Sequence, residues 1–271
     1  MDTNVVAQKF SSPTAEGKIY PLGAHVASWI PAGEDPVLWM SDASVFETGS
    51  AIRGGVPICF PWFGAGRSGK EAPAHGTARI VPWTKVAEEV TDSVRTVWEL
   101  KEEGKYTCSY EVVFGTELTL ALTVTNDSDA DFDFEEALHT YLAVSEIKDI
   151  TVEGLDGVKY LDRAGGKSVE CVQEGDIKFV EETDRIYFST GDVTVVDPGN
   201  SRKLVISRTN SANAVVWNPW ITKAAAMADY GDNEWPDMVC VEAANALDNA
   251  IVLAPGESHT MGYKITVVRT D

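Results

Sequence analysis

Two titratable side chains stand out because their neighbours are apolar. His139 sits in Glu135-Glu136-Ala137-Leu138-His139-Thr140-Tyr141-Leu142, and Glu242 closes the apolar run Met238-Val239-Cys240-Val241. In a strand, Leu138, Thr140 and Leu142 share one face while His139 and Tyr141 share the other. The acidic pair just upstream predicts a raised pKa and a cationic imidazole near neutral pH. A structurally satisfied histidine accounts for the pattern equally well. A carboxylate ending a buried strand is costly unless it is paired. Glu242 therefore reads either as an acid–base group whose pKa burial has moved, or as half of an ion pair anchoring the C-terminal strand.

Two loop-like segments carry cations beside glycine and proline. Ala51-Ile52-Arg53-Gly54-Gly55-Val56-Pro57-Ile58-Cys59-Phe60-Pro61-Trp62-Phe63-Gly64 is a constrained stretch in which Gly54-Gly55 permits a tight turn or a close approach to a ligand. Arg53 offers a planar fork of donors suited to a phosphate or carboxylate. Trp62 and Phe63 offer a flat wall for a sugar ring, or simply core. Pro73-Ala74-His75-Gly76-Thr77-Ala78-Arg79 adds a second arginine and a histidine able to bond a sugar hydroxyl.

The elements that must position these groups read as strands. Val94–Leu100, Tyr106–Phe114 and Glu117–Asn126 are separated by short turns, and Leu118, Leu120, Leu122 and Val124 alternate with polar or small residues at the period of a half-buried strand. Three strands so spaced make a meander, which argues for an all-β sandwich. Further strands are expected at 134–144, 158–161, 185–188, 193–196, 203–208, 214–217, 238–242 and 261–268. A short helix is expected at 223–229, where Lys-Ala-Ala-Ala-Met-Ala-Asp is rich in the best helix former. No linker divides the chain, so residues 1–271 are expected to form a single domain.

Composition narrows the partners. The net charge of −20 opposes long-range attraction to nucleic acid and to anionic membranes. An anionic substrate must then rely on a few placed cations. Cys59, Cys108, Cys171 and Cys240 lie far apart beside apolar residues and read as buried reduced thiols rather than as disulfides or zinc ligands. No signal-like or membrane-spanning apolar run is seen, so a cytoplasmic location is expected.

Taken in order, these segments resemble the hexose-6-phosphate mutarotases (glucose-6-phosphate 1-epimerases), a branch of the aldose 1-epimerase superfamily. The matching pieces are RGGVPICFPWFG at 53–64, AHGTAR at 74–79, ALHTYL at 137–142, GLDGVKYLD at 154–162, TDRIY at 183–187, VVWNPW at 215–220 and MVCVEAAN at 238–245. The resemblance implies a large galactose-mutarotase-like antiparallel β-sandwich with few short helices. It implies interconversion of the anomers of a hexose 6-phosphate, with neither cofactor nor metal, by a monomer or weak homodimer. Residue by residue, it implies His139 as general acid, Glu242 as general base, Arg53 and Arg79 as substrate contacts, Asp184 on the sugar hydroxyls and His75 in the sugar pocket. Some members carry glutamine where this chain has Ala74, which leaves the exact sugar more open than the reaction. Anomer exchange opens and recloses the C1–O5 bond, and the mutual attraction of the pair is expected to favour an ionised Glu242 beside a charged His139. The alternatives are an aldose 1-epimerase of free sugars and a non-catalytic sugar-phosphate-binding protein.

Overall fold

The computed structural model describes residues 2–270. Two eight-stranded antiparallel sheets make up most of the chain. The first runs, in spatial order, through Thr151–Glu153, Val193–Asp197, Arg202–Thr209, Ser258–Arg269, Glu117–Asn126, Tyr106–Phe114, Val94–Glu102 and Thr84–Val90. Its middle strands alternate buried with half-exposed residues along their whole length, as expected of a sheet with one face on the core and one toward water. The predicted meander is present, with Tyr106–Phe114 hydrogen-bonded between its two sequence neighbours.

The second sheet runs through Val169–Val172, Lys159–Asp162, Thr183–Phe188, Asn213–Asn218, Met238–Asn245, Glu136–Leu138 and Ile58–Cys59, with Tyr141–Ala143 also paired to Met238–Asn245. Asn213–Asn218 and Met238–Asn245 are buried at every position, so both of their faces are covered. One face meets the first sheet: Val216, Val239 and Val241 share a core cluster with Leu120, Leu122, Leu204 and Ile265, and the Tyr263 hydroxyl donates to the Val241 carbonyl at 2.7 Å. The opposite face of these strands carries Glu242. The architecture is therefore the expected all-β sandwich. Among the described residues, no helix is long and apolar enough to cross a membrane.

Several boundaries differ from the sequence reading for physical reasons. The expected strand at 134–144 is broken into Phe132–Phe134, Glu136–Leu138 and Tyr141–Ala143. At the breaks, the Glu135 and His139 amides donate to the Pro61 and Pro57 carbonyls of the neighbouring loop, each at 3.0 Å. The strand expected to end at Glu242 continues to Asn245, which puts the carboxylate in mid-strand. The helix occupies Trp220–Ala225 rather than 223–229, its first amide held by the Asn218 side-chain oxygen at 2.9 Å. A three-stranded sheet of Gln8–Ser11, Ala15–Tyr20 and His25–Pro31 had no counterpart in the sequence reading. Its middle strand alternates in burial, but its inward positions include Ala15 and Gly17, and a Cβ on Gly17 would lie 2.5 Å from the Phe114 ring. Small inward residues leave room for that ring and erase the apolar signal. Of the four cysteines, Cys171 is half-exposed rather than buried, and all four are free.

The two acidic residues upstream of His139 are consumed structurally. The Glu135 carboxylate accepts from the amides of Phe63 and Leu247, at 3.1 and 2.7 Å, and so ties two loops together. Glu136, fully buried, pairs with His259 at 3.0 Å and accepts from Asn245 at 2.8 Å. The bond to Glu136 raises the pKa of His259 against the opposing effect of burial. A histidine whose folded pKa exceeds its unfolded value adds stability that is complete below the unfolded pKa and vanishes as pH rises through the folded one. Replacing His259 by alanine should therefore cost roughly 1.5–3 kcal/mol near pH 5.5. The gap to the parent protein should narrow by about pH 9, as urea unfolding at both values will show. A pH-independent difference would mean that the pair contributes nothing through its charge.

Candidate active site

Strand register assembles the floor of the site. Leu138 pairs with Ala243 and Tyr141 with Cys240, and these two pairings share one antiparallel register. His139 therefore lies opposite Glu242 even though the ladder is interrupted there. Glu242 pairs with Val215, and Val215 with Ile186. One row across the sheet is thus His139, Glu242, Val215, Ile186. Two residues along each strand, on the same face, a second row reads Tyr141, Cys240, Trp217, Asp184. It is extended by Arg163, whose amide donates to the Asp184 carbonyl at 2.7 Å. Residues of both rows line a cleft of about 380 Å³, within the size range of small-molecule sites of about 300–1,000 Å³.

Loops complete the walls with Arg53, Phe63, His75, Arg79 and Lys223. The His75 loop is held by backbone constraint. His75 adopts a left-handed φ of +65°, uncommon for a residue with a side chain. Gly76 follows at φ +76°, where a Cβ would sit 2.0 Å from the Phe60 carbonyl oxygen. The Gly64 amide donates to His75 Nδ1 at 3.3 Å, which leaves the ring proton on Nε2. Burial and the nearby Arg79 and Arg53 push the His75 pKa down to about 3, so the ring is neutral.

At the floor, His139 Nδ1 lies 3.4 Å from Glu242 Oε1, with side chains only 9% and 1% exposed. The imidazole stacks on Tyr141 at 4.8 Å between centroids, with Trp217 edge-on at 5.9 Å. Burial lowers the His139 pKa well below its ordinary value, helped by His75, Arg79 and Arg53. Burial likewise raises Glu242 well above the carboxylate range, helped by Asp184 and opposed by Arg79. Two sequence expectations are corrected here. Glu135 and Glu136 face other partners and do not make the imidazole cationic. Burial also favours the neutral forms of His139 and Glu242 over the charged pair, because desolvation penalises both charges. Glu242 Oε2 and His139 Nδ1 have no hydrogen-bond partner among the described residues, an expensive arrangement unless a ligand completes it.

The other expected residues fall into distinct positions. Asp184 lines the cleft with its pKa raised by burial against the pull of Lys223 and Arg163. Arg79 lines the cleft and donates through Nη2 to the Ala74 carbonyl at 2.8 Å. Arg53 lines it too, but its fork is engaged. Nε and Nη2 donate to the Asp229 carboxylate at 3.0–3.2 Å, and Nη1 donates to the Tyr141 hydroxyl at 2.8 Å. Trp62 does not line the cleft; its indole N–H donates to the Pro73 carbonyl at 2.8 Å and braces the loop. The aromatic walls are Phe63 and Trp217 instead. Sequence reasoning missed Arg163, Lys223 and Asp229. Lys223 is placed by the helix and bonds Glu182 at 2.8 Å and Asp184 at 3.5 Å. A sheet register would have pointed to Arg163, which stands one step beyond Asp184 in its row.

The antiparallel sandwich thus holds a buried imidazole–carboxylate pair at the bottom of a cation-rimmed cleft of a size suited to a small polar ligand. Residues 9–266 match the family described as aldose 1-epimerase, and the chain belongs to that family. A protein of Escherichia coli (strain K12), provisionally named a glucose-6-phosphate 1-epimerase, is 36% identical over 91% of this chain and 85% of its own length. A similarly named protein of Cenchrus ciliaris is 33% identical over 89% and 78%. The crystal structure of a protein of Salmonella typhimurium, provisionally called a mutarotase, superposes with a TM-score of 0.89 at 30% identity, covering 96% of this chain and 90% of that one.

The backbone at Gly76 generates a direct test of how the His75 and Arg79 wall is built. Gly76→Ala should lower the unfolding free energy by about 2–3 kcal/mol, through the clash with Phe60 and the left-handed φ. Denaturant unfolding reads this, and an unchanged midpoint would mean that the loop is free to relax.

Proposed function

We propose that this chain interconverts the α and β anomers of a hexose 6-phosphate in the cytoplasm, with His139 and Glu242 moving the two protons the reaction requires. The observation that carries the reading is the 3.4 Å approach of His139 Nδ1 to Glu242 Oε1 at the floor of the cleft, with polar atoms of both left unpartnered there. Ring opening removes the proton of the C1 hydroxyl, forms the C1 carbonyl and breaks C1–O5, while a proton is delivered to O5. Rotation about C1–C2 and closure on the other carbonyl face give the second anomer.

The pair needs only one proton of its own for this. With the proton on His139, the imidazolium protonates O5 and the Glu242 carboxylate accepts the C1 hydroxyl proton. The open-chain sugar is then accompanied by neutral imidazole and neutral carboxylic acid. That neutral state is the one burial favours. The protein is therefore pre-organised for the charge state that accompanies the aldehyde, and the two states differ only in where one proton sits. Asp184 and His75 are assigned to the sugar hydroxyls.

Four cations face or adjoin the cleft, and their partners rank them. Arg53 is balanced by Asp229, and Lys223 by Glu182 and Asp184. Arg79 and Arg163 are left as the main carriers of positive charge toward an incoming phosphate, with Arg53 held rigid beside them. In a chain of net charge −20, such local placement is needed to attract an anion.

Exchange spectroscopy between the anomers of glucose 6-phosphate tests the assignment. His139→Ala and Glu242→Gln should each slow exchange by about 10²–10⁴-fold with the fold intact, and full activity in either variant would overturn it. Arg79→Ala should raise KM for glucose 6-phosphate by roughly tenfold or more, at about 1.4 kcal/mol per factor of ten, and leave exchange of free glucose nearly unchanged. Equal losses on both sugars would place Arg79 at the ring and favour a free-sugar epimerase.

A further inference from the structure

The second row of the cleft floor carries a thiol that the proposed reaction does not use. Cys240 is fully buried one row from Glu242, on the same face of the same strand. One ligand atom each from His139, Cys240 and Glu242 lies within 4.8 Å of the other two. Cys240 also belongs to the inter-sheet core and does not itself line the cleft, so the polar character of the trio lies with its other two members. His139 Nδ1 and Glu242 Oε2 are buried and lack hydrogen-bond partners among the described residues, and both residues line the cleft.

The geometry points to a second occupant of this floor: a divalent zinc-like cation held by His139, Cys240 and Glu242, with its fourth position open to the cleft. One imidazole, one thiolate and one carboxylate make a three-ligand set of the kind that leaves a coordination position free for water or a sugar oxygen. In a tetrahedral zinc site the nitrogen and oxygen ligands stand about 3.4 Å apart, and His139 Nδ1 and Glu242 Oε1 already do so at 3.4 Å. The sulfur, within 4.8 Å of the other two ligand atoms, needs to close by up to about 1.3 Å to meet the bond lengths of zinc. Thiolate and imidazole together select zinc-like ions over magnesium or calcium, which prefer oxygen ligands.

The charges also balance. The ion displaces the Cys240 thiol proton and the single proton shared by His139 and Glu242, releasing two protons. A dication with one thiolate and one carboxylate is then neutral as a unit. That suits a site already flanked by Arg53 and Arg79. Because the ion takes the same two side chains that move protons, metal and sugar exclude one another. This inhibitory consequence rests on the acid–base reading above, whereas the site itself stands on geometry alone.

Cobalt(II) serves as the optical probe. Titrated into chelator-treated protein, it should give a thiolate-to-cobalt charge-transfer band in the near ultraviolet that saturates at one ion per chain and is displaced by zinc. The band should vanish in Cys240→Ala and survive in Cys171→Ala, which removes the half-exposed thiol. Circular dichroism checks that each variant folds. If Cys240→Ala does not fold, Cys240→Ser removes the sulfur with less loss of volume and should also abolish the band. No band, or one that survives loss of Cys240, overturns the site. In the parent protein, zinc should suppress anomer exchange in proportion to the sites filled, and a chelator should restore it. An unchanged rate with the site filled overturns the inhibition. If the protein exchanges no sugar anomers at all, the proposed function fails, while the cobalt band still decides the metal site.

Discussion

The arrangement of the whole site depends on one pairing register, the one that sets residues 136–143 against residues 238–245. In an antiparallel pair, directly opposed residues project from the same face with their Cβ atoms about 4.5–5.5 Å apart. A slip of one residue would turn either His139 or Glu242 into the apolar interior between the sheets. The register is pinned from both sides. Leu138 and Leu142 are fully buried in the inter-sheet core, and the Pro57 and Pro61 carbonyls capture the two amides where the ladder lapses. The approach of His139 to Glu242 is thus a consequence of hydrophobic packing on the far side of the same strands.

That dependence explains how a carboxylate comes to be buried in mid-strand. A mid-sheet carboxylate is ordinarily exposed or paired, because leaving it buried and bare costs several kcal/mol. Here the strand continues three residues beyond Glu242, and Glu135 ties together two loops whose Phe63 and Leu247 line the cleft. Desolvation then drives His139 and Glu242 toward neutrality from opposite directions. Aromatic walls at Phe63 and Trp217 and the stack of Tyr141 on the imidazole keep the medium apolar, which strengthens any hydrogen bond a ligand brings.

The parts of this legible in the sequence were those written in periodicity and in side-chain type. The meander at 94–126 alternates so regularly that two of its three strands match the observed bounds. His139 and Glu242 stood out as polar residues in apolar runs, and the order of the loop segments carried the family. What was not legible was set by partners distant in the chain. Glu135 and Glu136 look like neighbours of His139 in sequence, yet strand geometry and loop contacts send them to Phe63, Leu247 and His259. Trp62 looks like a sugar platform, yet its indole braces Pro73. Arg53 reads as a free fork until Asp229, 176 residues away, is found to fill it.

The cations follow from the same logic. A strongly acidic chain cannot draw an anion by its overall field, so charge must be concentrated where the ligand lands. Yet positive charge packed against a buried imidazole lowers its pKa and works against the imidazolium form. The structure reconciles these demands by distance and by pairing. Arg53, hydrogen-bonded to the floor through the Tyr141 hydroxyl, is paired with Asp229, and Lys223 with Glu182 and Asp184. Arg163 stands at the far end of the second row, four strands from the imidazole. Among the described residues, Arg79 faces the cleft and acts on both His139 and Glu242, lowering the one and opposing the rise of the other. It favours the form in which Glu242 is ionised and disfavours the form in which His139 is charged, so its net effect on the proton between them is small. An arginine in that position can bind an anion without fixing the proton to either partner.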